Sequence, residues 1–205
     1  MKLAIFGASG ATGRLLVEQA LAAGHDVTVL LRSAGSLALD DVRVQRIVGQ
    51  LDQPDAVAAV VQGADAVISV LGVRKGGAPK VCTDGIRSML QAMQHTGTQR
   101  LIALSAYGAS ETRDHSWFIR LVRKIIREKM RDKDAMEKLV RASTTDWTLV
   151  RPPALTNGAA TGAYRASTSL KPGITGRLSR ADLAGFMLSV AERGDFLRQA
   201  PAVSI

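Results

Sequence analysis

The stretch IFGASGATG, residues 5–13, constrains this chain more than any other. Three glycines, Gly7, Gly10 and Gly13, follow the short apolar run Lys2–Phe6 and open a helical pattern over Thr12–Ala23. In that pattern Leu15, Leu16, Gln19 and Ala20 recur at helical spacing, and Gly24 closes it. A strand that turns at once into a helix needs a residue without a Cβ at the turn, and Gly7 supplies it. Gly10 lets a pyrophosphate lie against the backbone, and Gly13 lets the helix pack closely on the sheet. The helix N-terminus adds unpaired N–H groups and the positive end of a dipole. Glycines alone would say little, but a complete strand–turn–helix–strand unit predicts a dinucleotide site. Its candidate contacts are Gly7, Ser9, Gly10, Ala11, Thr12, Gly13 and Arg14.

The rest of the chain alternates β-branched runs with helical patterns, which predicts a parallel sheet flanked by helices. Strands are expected at 27–31, 42–48, 65–70, 101–104 and 147–150. Helices are expected from Pro54 to Val61, from Thr83 to His95 before Gly97, and from Arg180 to Ala191 behind the N-cap Ser179. Residues 117–141 read as one long helix, with a bend near Arg131–Asp134. Its apolar positions Trp117, Leu121, Ile125 and Phe118, Val122, Ile126 recur every four residues. A hairpin is expected around Tyr164–Arg177. No linker divides the 205 residues, so the fold class is α/β: a single, doubly wound Rossmann domain over residues 1–205, its sheet mostly parallel with helices on both faces.

Composition narrows the function. No run approaches the roughly 20 apolar residues that span a bilayer, and the N-terminus lacks the length of a signal peptide. The single cysteine, Cys82, excludes a disulfide framework, so a reduced, cytoplasmic setting is the expectation. His25, His95 and His115 stand apart, and no metal site is expected. Half of the excess positive charge lies in residues 113–141, with ten Lys/Arg against five Asp/Glu. It reads as a solvated helix face rather than a platform for nucleic acid, since only 4% of residues are aromatic. No membrane partner is expected either. Asp134 and Glu137 read as surface acids, Asp134 pairing with Lys138 one turn on.

The end of the second strand selects the cofactor. An acid there would hold a ribose 2′-hydroxyl, as in NAD sites. This chain has Leu31-Arg32-Ser33 instead. The Arg32 guanidinium suits a 2′-phosphate through charge-assisted bonds, and Arg14 adds a second charge. NADPH is therefore the expected cofactor.

The sequence resembles the atypical members of the short-chain dehydrogenase/reductase superfamily: NAD(P)H-binding proteins such as the NmrA regulators and the biliverdin-IXβ/flavin reductases. The likeness rests on IFGASGATG, the VTVLLR strand end, VLGVR at 70–74, SAYG at 105–108, VRPP at 150–153, LTNGAATGAY at 155–164 and SRADLAGFML at 179–188. It implies cofactor contacts at Leu71, Gly72, Val73, Arg74 and Pro152, and a catalytic, orienting role for Ser105 beside the nicotinamide. Two departures matter. The Tyr-x-x-x-Lys pair of ordinary members is absent: Tyr107 is followed four residues later by Glu111, and Tyr164 by Thr168. The histidine after the family's Pro-Pro is Ala154 here. Chemistry that needs mainly positioning survives, such as hydride transfer to a stacked FMN, riboflavin or similar acceptor. The alternative is a non-enzymatic NmrA-like sensor that binds NADP(H) and signals to a protein partner.

Overall fold

The computed structural model describes every residue except Arg74, Lys75, Asp114 and His115. The chain runs β1 (Lys2–Phe6), α1 (Ala11–Ala22), β2 (Asp26–Leu31), β3 (Val44–Val48), α2 (Pro54–Val61), β4 (Ala66–Ser69), α3 (Val81–Thr96) and β5 (Arg100–Leu104). After β5 come α4 (Trp117–Ile125), α5 (Arg127–Ala142), β6 (Asp146–Val150), β7 (Ala154–Thr156), β8 (Arg165–Ser167), β9 (Arg177–Ser179), α6 (Arg180–Arg193) and β10 (Ala202–Ser204). Strands β1 to β6 form one parallel sheet in the order β3-β2-β1-β4-β5-β6. The order in which strands are added reverses between β1 and β4, the switch point where open α/β sheets leave a crevice at the strands' carboxyl ends.

Period-two alternation divides the core between the sheet's faces. Leu3 and Ile5 of β1 pack with Leu16 and Val17 of α1 and with Leu183 and Met187 of α6. Ala4 and Phe6 point the other way, to Val57 of α2, Ile86 and Met89 of α3, and Met136 and Val140 of α5. Both faces of β1 are covered, which is why Leu3–Phe6 is a continuous apolar run rather than an alternating one.

Two expectations are corrected. The segment 117–141 is two helices, broken at Ile126 (φ −109°, ψ 38°) rather than bent at 131–134. Asp132, expected near the bend, is instead buried inside α5. Its carboxylate accepts from the backbone N–H groups of Cys82 (3.0 Å) and Thr83 (2.9 Å), capping α3, whose own N-cap residue makes no side-chain cap. The hairpin at 164–177 does not form. Its arms go elsewhere: β8 pairs antiparallel with β10, and β9 pairs in parallel with β7. The apolar stripe of α4 lies outside the core. Trp117, Leu121 and Ile125 are exposed, because the break frees α4 from the face that α5 buries.

Ser179 caps α6 as expected: its hydroxyl accepts from the N–H of Asp182 at 2.9 Å and donates back to that carboxylate. Asp182 also accepts from the N–H groups of Thr161 and Gly162, both at 2.8 Å, pinning the 157–164 loop to the helix start. Burial pushes the Asp182 carboxyl up, but these donors outweigh it and hold it below the usual range. Among the described residues no helix is long and apolar enough to cross a membrane.

Candidate active site at the carboxyl edge of the sheet

The glycine turn is built as its sequence requires. Gly7 sits at φ +89°, where a side chain would be strained, and its carbonyl accepts from the N–H of Gly10 at 2.9 Å. A Cβ on Gly13 would lie 2.2 Å from the Gly7 oxygen, so only glycine lets α1 pack this close. A Cβ on Gly7 would lie 3.1 Å from the Val70 carbonyl carbon. The turn therefore abuts the end of β4, and the segment Leu71, Gly72 and Val73 continues along its flank. Arg74 lies outside the described residues. The first helical hydrogen bond of α1 runs from Arg14 N–H to Gly10, leaving the N–H groups of Ala11, Thr12 and Gly13 without a backbone acceptor.

Beside this turn, Ser9, Arg14, Arg32, Ser33, Gly35 and Ser36 line an open cavity of about 500 Å³. Arg14 and Arg32 are exposed, and neither makes an ion pair with any described residue. Two uncompensated guanidiniums, the serine hydroxyls and a helix N-terminus make a receptor for a doubly charged oxyanion. The cradle suits phosphate groups in charge and in hydrogen-bond donors, as a dinucleotide requires.

At the other end of the crevice, β5 and β6 continue to pair past their ends, Ser105 N–H bonding Val150 O at 2.7 Å and Tyr107 N–H bonding Pro152 O at 2.8 Å. Ser105 and Pro152 thus stand side by side at the carboxyl edge. Ser105 is buried, and its hydroxyl donates to Glu137 at 2.5 Å. With its proton committed, Ser105 can act on a ligand only as an acceptor. Glu137 is fully buried and paired with Arg151, which is itself 2% exposed. The Arg151 guanidinium forks onto Glu111 as well, with two bonds of 2.8 Å. Burial works against the Arg151 charge, but its two carboxylate partners outweigh it and raise its pKa. In return, the bonds from Arg151 hold the Glu111 carboxyl down at about 2.

Glu137 is therefore not a surface acid, and Asp134 does not pair with Lys138. Asp134 takes the Arg123 guanidinium at 2.6 Å and the Ser110 N–H at 2.8 Å, tying α4 and the post-β5 loop to α5. The sequence reading also passed over Lys133. Buried in α5, it donates to the carbonyls of Leu71 (3.0 Å) and Leu104, bridging the ends of β4 and β5. Two of its three ammonium protons are committed to these carbonyls. The Tyr-x-x-x-Lys pattern is thus half present: a lysine stands at the edge, but the residue four before it is Lys129. The missed signal was a lysine among the apolar positions Met130 and Met136. Burial raises the Cys82 thiol, whose Sγ contacts Leu71 O at 3.4 Å, so it is a packed side chain and not a ready nucleophile. No cluster of metal-ligating side chains occurs among the described residues.

Comparison with known proteins agrees with this architecture. The protein YMR090W of Saccharomyces cerevisiae is 28% identical over 92% of this chain and 86% of its own length. ChuY from Escherichia coli O157:H7, described as an anaerobilin reductase, superposes with a TM-score of 0.86 at 24% identity, over 99% of this chain and 96% of its own. A short-chain dehydrogenase/reductase from Veillonella parvula, solved in complex with NADP, superposes with a TM-score of 0.82 at 18% identity, over 100% of this chain and 94% of its own. The model of the NAD(P)H-binding family matches residues 7–193, and the chain belongs to that family.

Proposed function

We propose that this protein is an NADPH-dependent reductase of a flat, conjugated acceptor such as FMN or riboflavin. The observation that carries the reading is the cavity where Arg14 and Arg32 converge with Ser9 beside the glycine turn, with no acid among its lining residues. A carboxylate there would repel a 2′-phosphate; two guanidiniums recruit it. The N–H groups of Ala11, Thr12 and Gly13 receive the pyrophosphate. Leu71, Gly72, Val73 and Pro152 line the path to the nicotinamide, and the Lys133 ammonium holds the adjoining ribose. Ser105, its own proton given to Glu137, accepts from the carboxamide and fixes the ring's orientation. When bound, the nicotinamide supplies a hydride; no side chain is asked to act as an acid, and solvent provides the acceptor's proton. The likeness to a protein described as an anaerobilin reductase supports a reductase.

Steady-state oxidation of NADPH with FMN, riboflavin and quinones tests the reading. Turnover with at least one acceptor is expected, and Arg32→Ala is expected to weaken NADPH binding by about 1.5–3 kcal/mol, the scale of a charged hydrogen bond, while sparing NADH. Equal affinity for NADPH and NADH in the unaltered protein would refute the assignment of the arginines. The second reading, a sensor that binds NADP(H) without turnover, has one observation behind it: no tyrosine stands four residues before Lys133.

A further inference from the structure

We propose that α4 is a docking helix for an anionic lipid surface. Its nine residues, WFIRLVRKI, contain no buried side chain. Trp117 is 70% exposed, Leu121 47% and Ile125 74%, and their four-residue spacing aligns them along one side of the helix. Exposed large apolar side chains scattered singly are ordinary, but three in a row on one helix form a patch. Arg120, Lys124, Arg127, Lys129 and Arg131 are exposed nearby, and none makes an ion pair with a described residue. Between Trp117 and Arg131 the sequence holds six Lys/Arg and one acid, Glu128.

An apolar strip with a tryptophan at its end and unpaired cations alongside is the composition of a helix that lies in a headgroup layer. The rings and aliphatic groups enter the acyl boundary while the cations meet phosphates. Charge selects this occupant over a second copy of the chain. Two-fold apposition of α4 would bring Arg120 and Lys124 of each copy against the same cations of the other. The helix is also firmly held: Arg123, on its inner side, bonds Gly108 O and Asp134, so a docked α4 carries the post-β5 loop with it. The lack of a spanning run, which argued against a membrane partner, does not bear on a helix that lies along the surface.

The test uses the full chain and vesicles of phosphatidylglycerol with phosphatidylcholine, against phosphatidylcholine alone. Trp117 and Trp147 are the only tryptophans, and Trp147 is buried, so a fluorescence change on binding reports Trp117. The protein is expected to co-sediment with the anionic vesicles, with a blue shift, and to leave them at high salt. Trp117→Ser with Ile125→Ser is expected to lower partitioning at least tenfold, and Arg120→Glu with Lys124→Glu by more, each cation being worth roughly fivefold. All four positions are exposed, so the variants fold. Three results would each overturn the proposal: no partitioning, partitioning unchanged in both variants, or a concentration-dependent dimer that Trp117→Ser with Ile125→Ser abolishes. Binding only to an acidic peptide and not to vesicles would do the same.

Discussion

Glu137→Gln removes one charge from the most buried ionic cluster of the molecule while keeping its shape. In the native protein Glu137 accepts from Ser105 and from Arg151 Nε and Nη2, with no exposure to water. Glutamine can still accept from Ser105 through its oxygen, but its NH2 group then faces a guanidinium that has only donors. Breaking a buried pair by altering one partner costs about 3–5 kcal/mol. Arg151 retains two bonds to Glu111, which lowers the expected loss to about 2–4 kcal/mol. Urea denaturation followed by far-ultraviolet circular dichroism measures it, and a drop in midpoint of about 1 M or more is expected, given slopes of about 1–3 kcal/mol/M. The double variant Glu137→Met, Arg151→Leu leaves no charge buried at the cluster and should recover much of the loss. A Glu137→Gln protein within about 1 kcal/mol of the native one would refute the claim that this cluster holds β6, α5 and the post-β5 loop together.

Two other variants separate the ends of the crevice. Lys133→Ala should weaken NADPH and NADH alike, by about 10–100-fold, the scale of a charged hydrogen bond, because the ribose beside the nicotinamide is common to both; titration by nicotinamide fluorescence checks this against the selective loss expected of Arg32→Ala. The Glu111 carboxyl, held at about 2 by Arg151, has an unfolded value near 4.3. Its pairing therefore stabilises the fold above that value, and the stabilisation is lost as the pH falls towards 2. The difference in Tm between the native protein and Glu111→Gln should accordingly shrink between pH 7 and pH 3, and a constant difference would contradict the pairing.

What the sequence revealed and what it hid divides along physical lines. The glycine turn, the N-terminal Pro54, Gly97 at φ +76° and the Ser179 cap were legible because local backbone chemistry decides them. Arg14 and Arg32 were legible because a parallel βαβ unit fixes where the ends of the first turn and second strand meet. The Ser105–Glu137–Arg151–Glu111 cluster was not. Its members come from three separate stretches, the post-β5 loop, α5 and the end of β6, and acids at helical spacing among cations look like a solvated face until the opposing strand brings a buried arginine. Lys133 was hidden because neither of the two tyrosines stands four residues before it. The break at Ile126 has no glycine or proline to announce it, and three-residue strands such as β7 and β10 are too short to show a period.

Every role proposed for the site turns on direct reduction of a stacked acceptor by bound NADPH. Stopped-flow mixing of the preformed NADPH complex with excess FMN, and separately with riboflavin and a quinone, addresses it in a single turnover. Nicotinamide oxidation well above the uncatalysed rate, slowed by deuterium at the transferred position, is the predicted result. No oxidation above that rate with any of these acceptors, from a protein that binds NADPH, would contradict the reductase and leave the sensor.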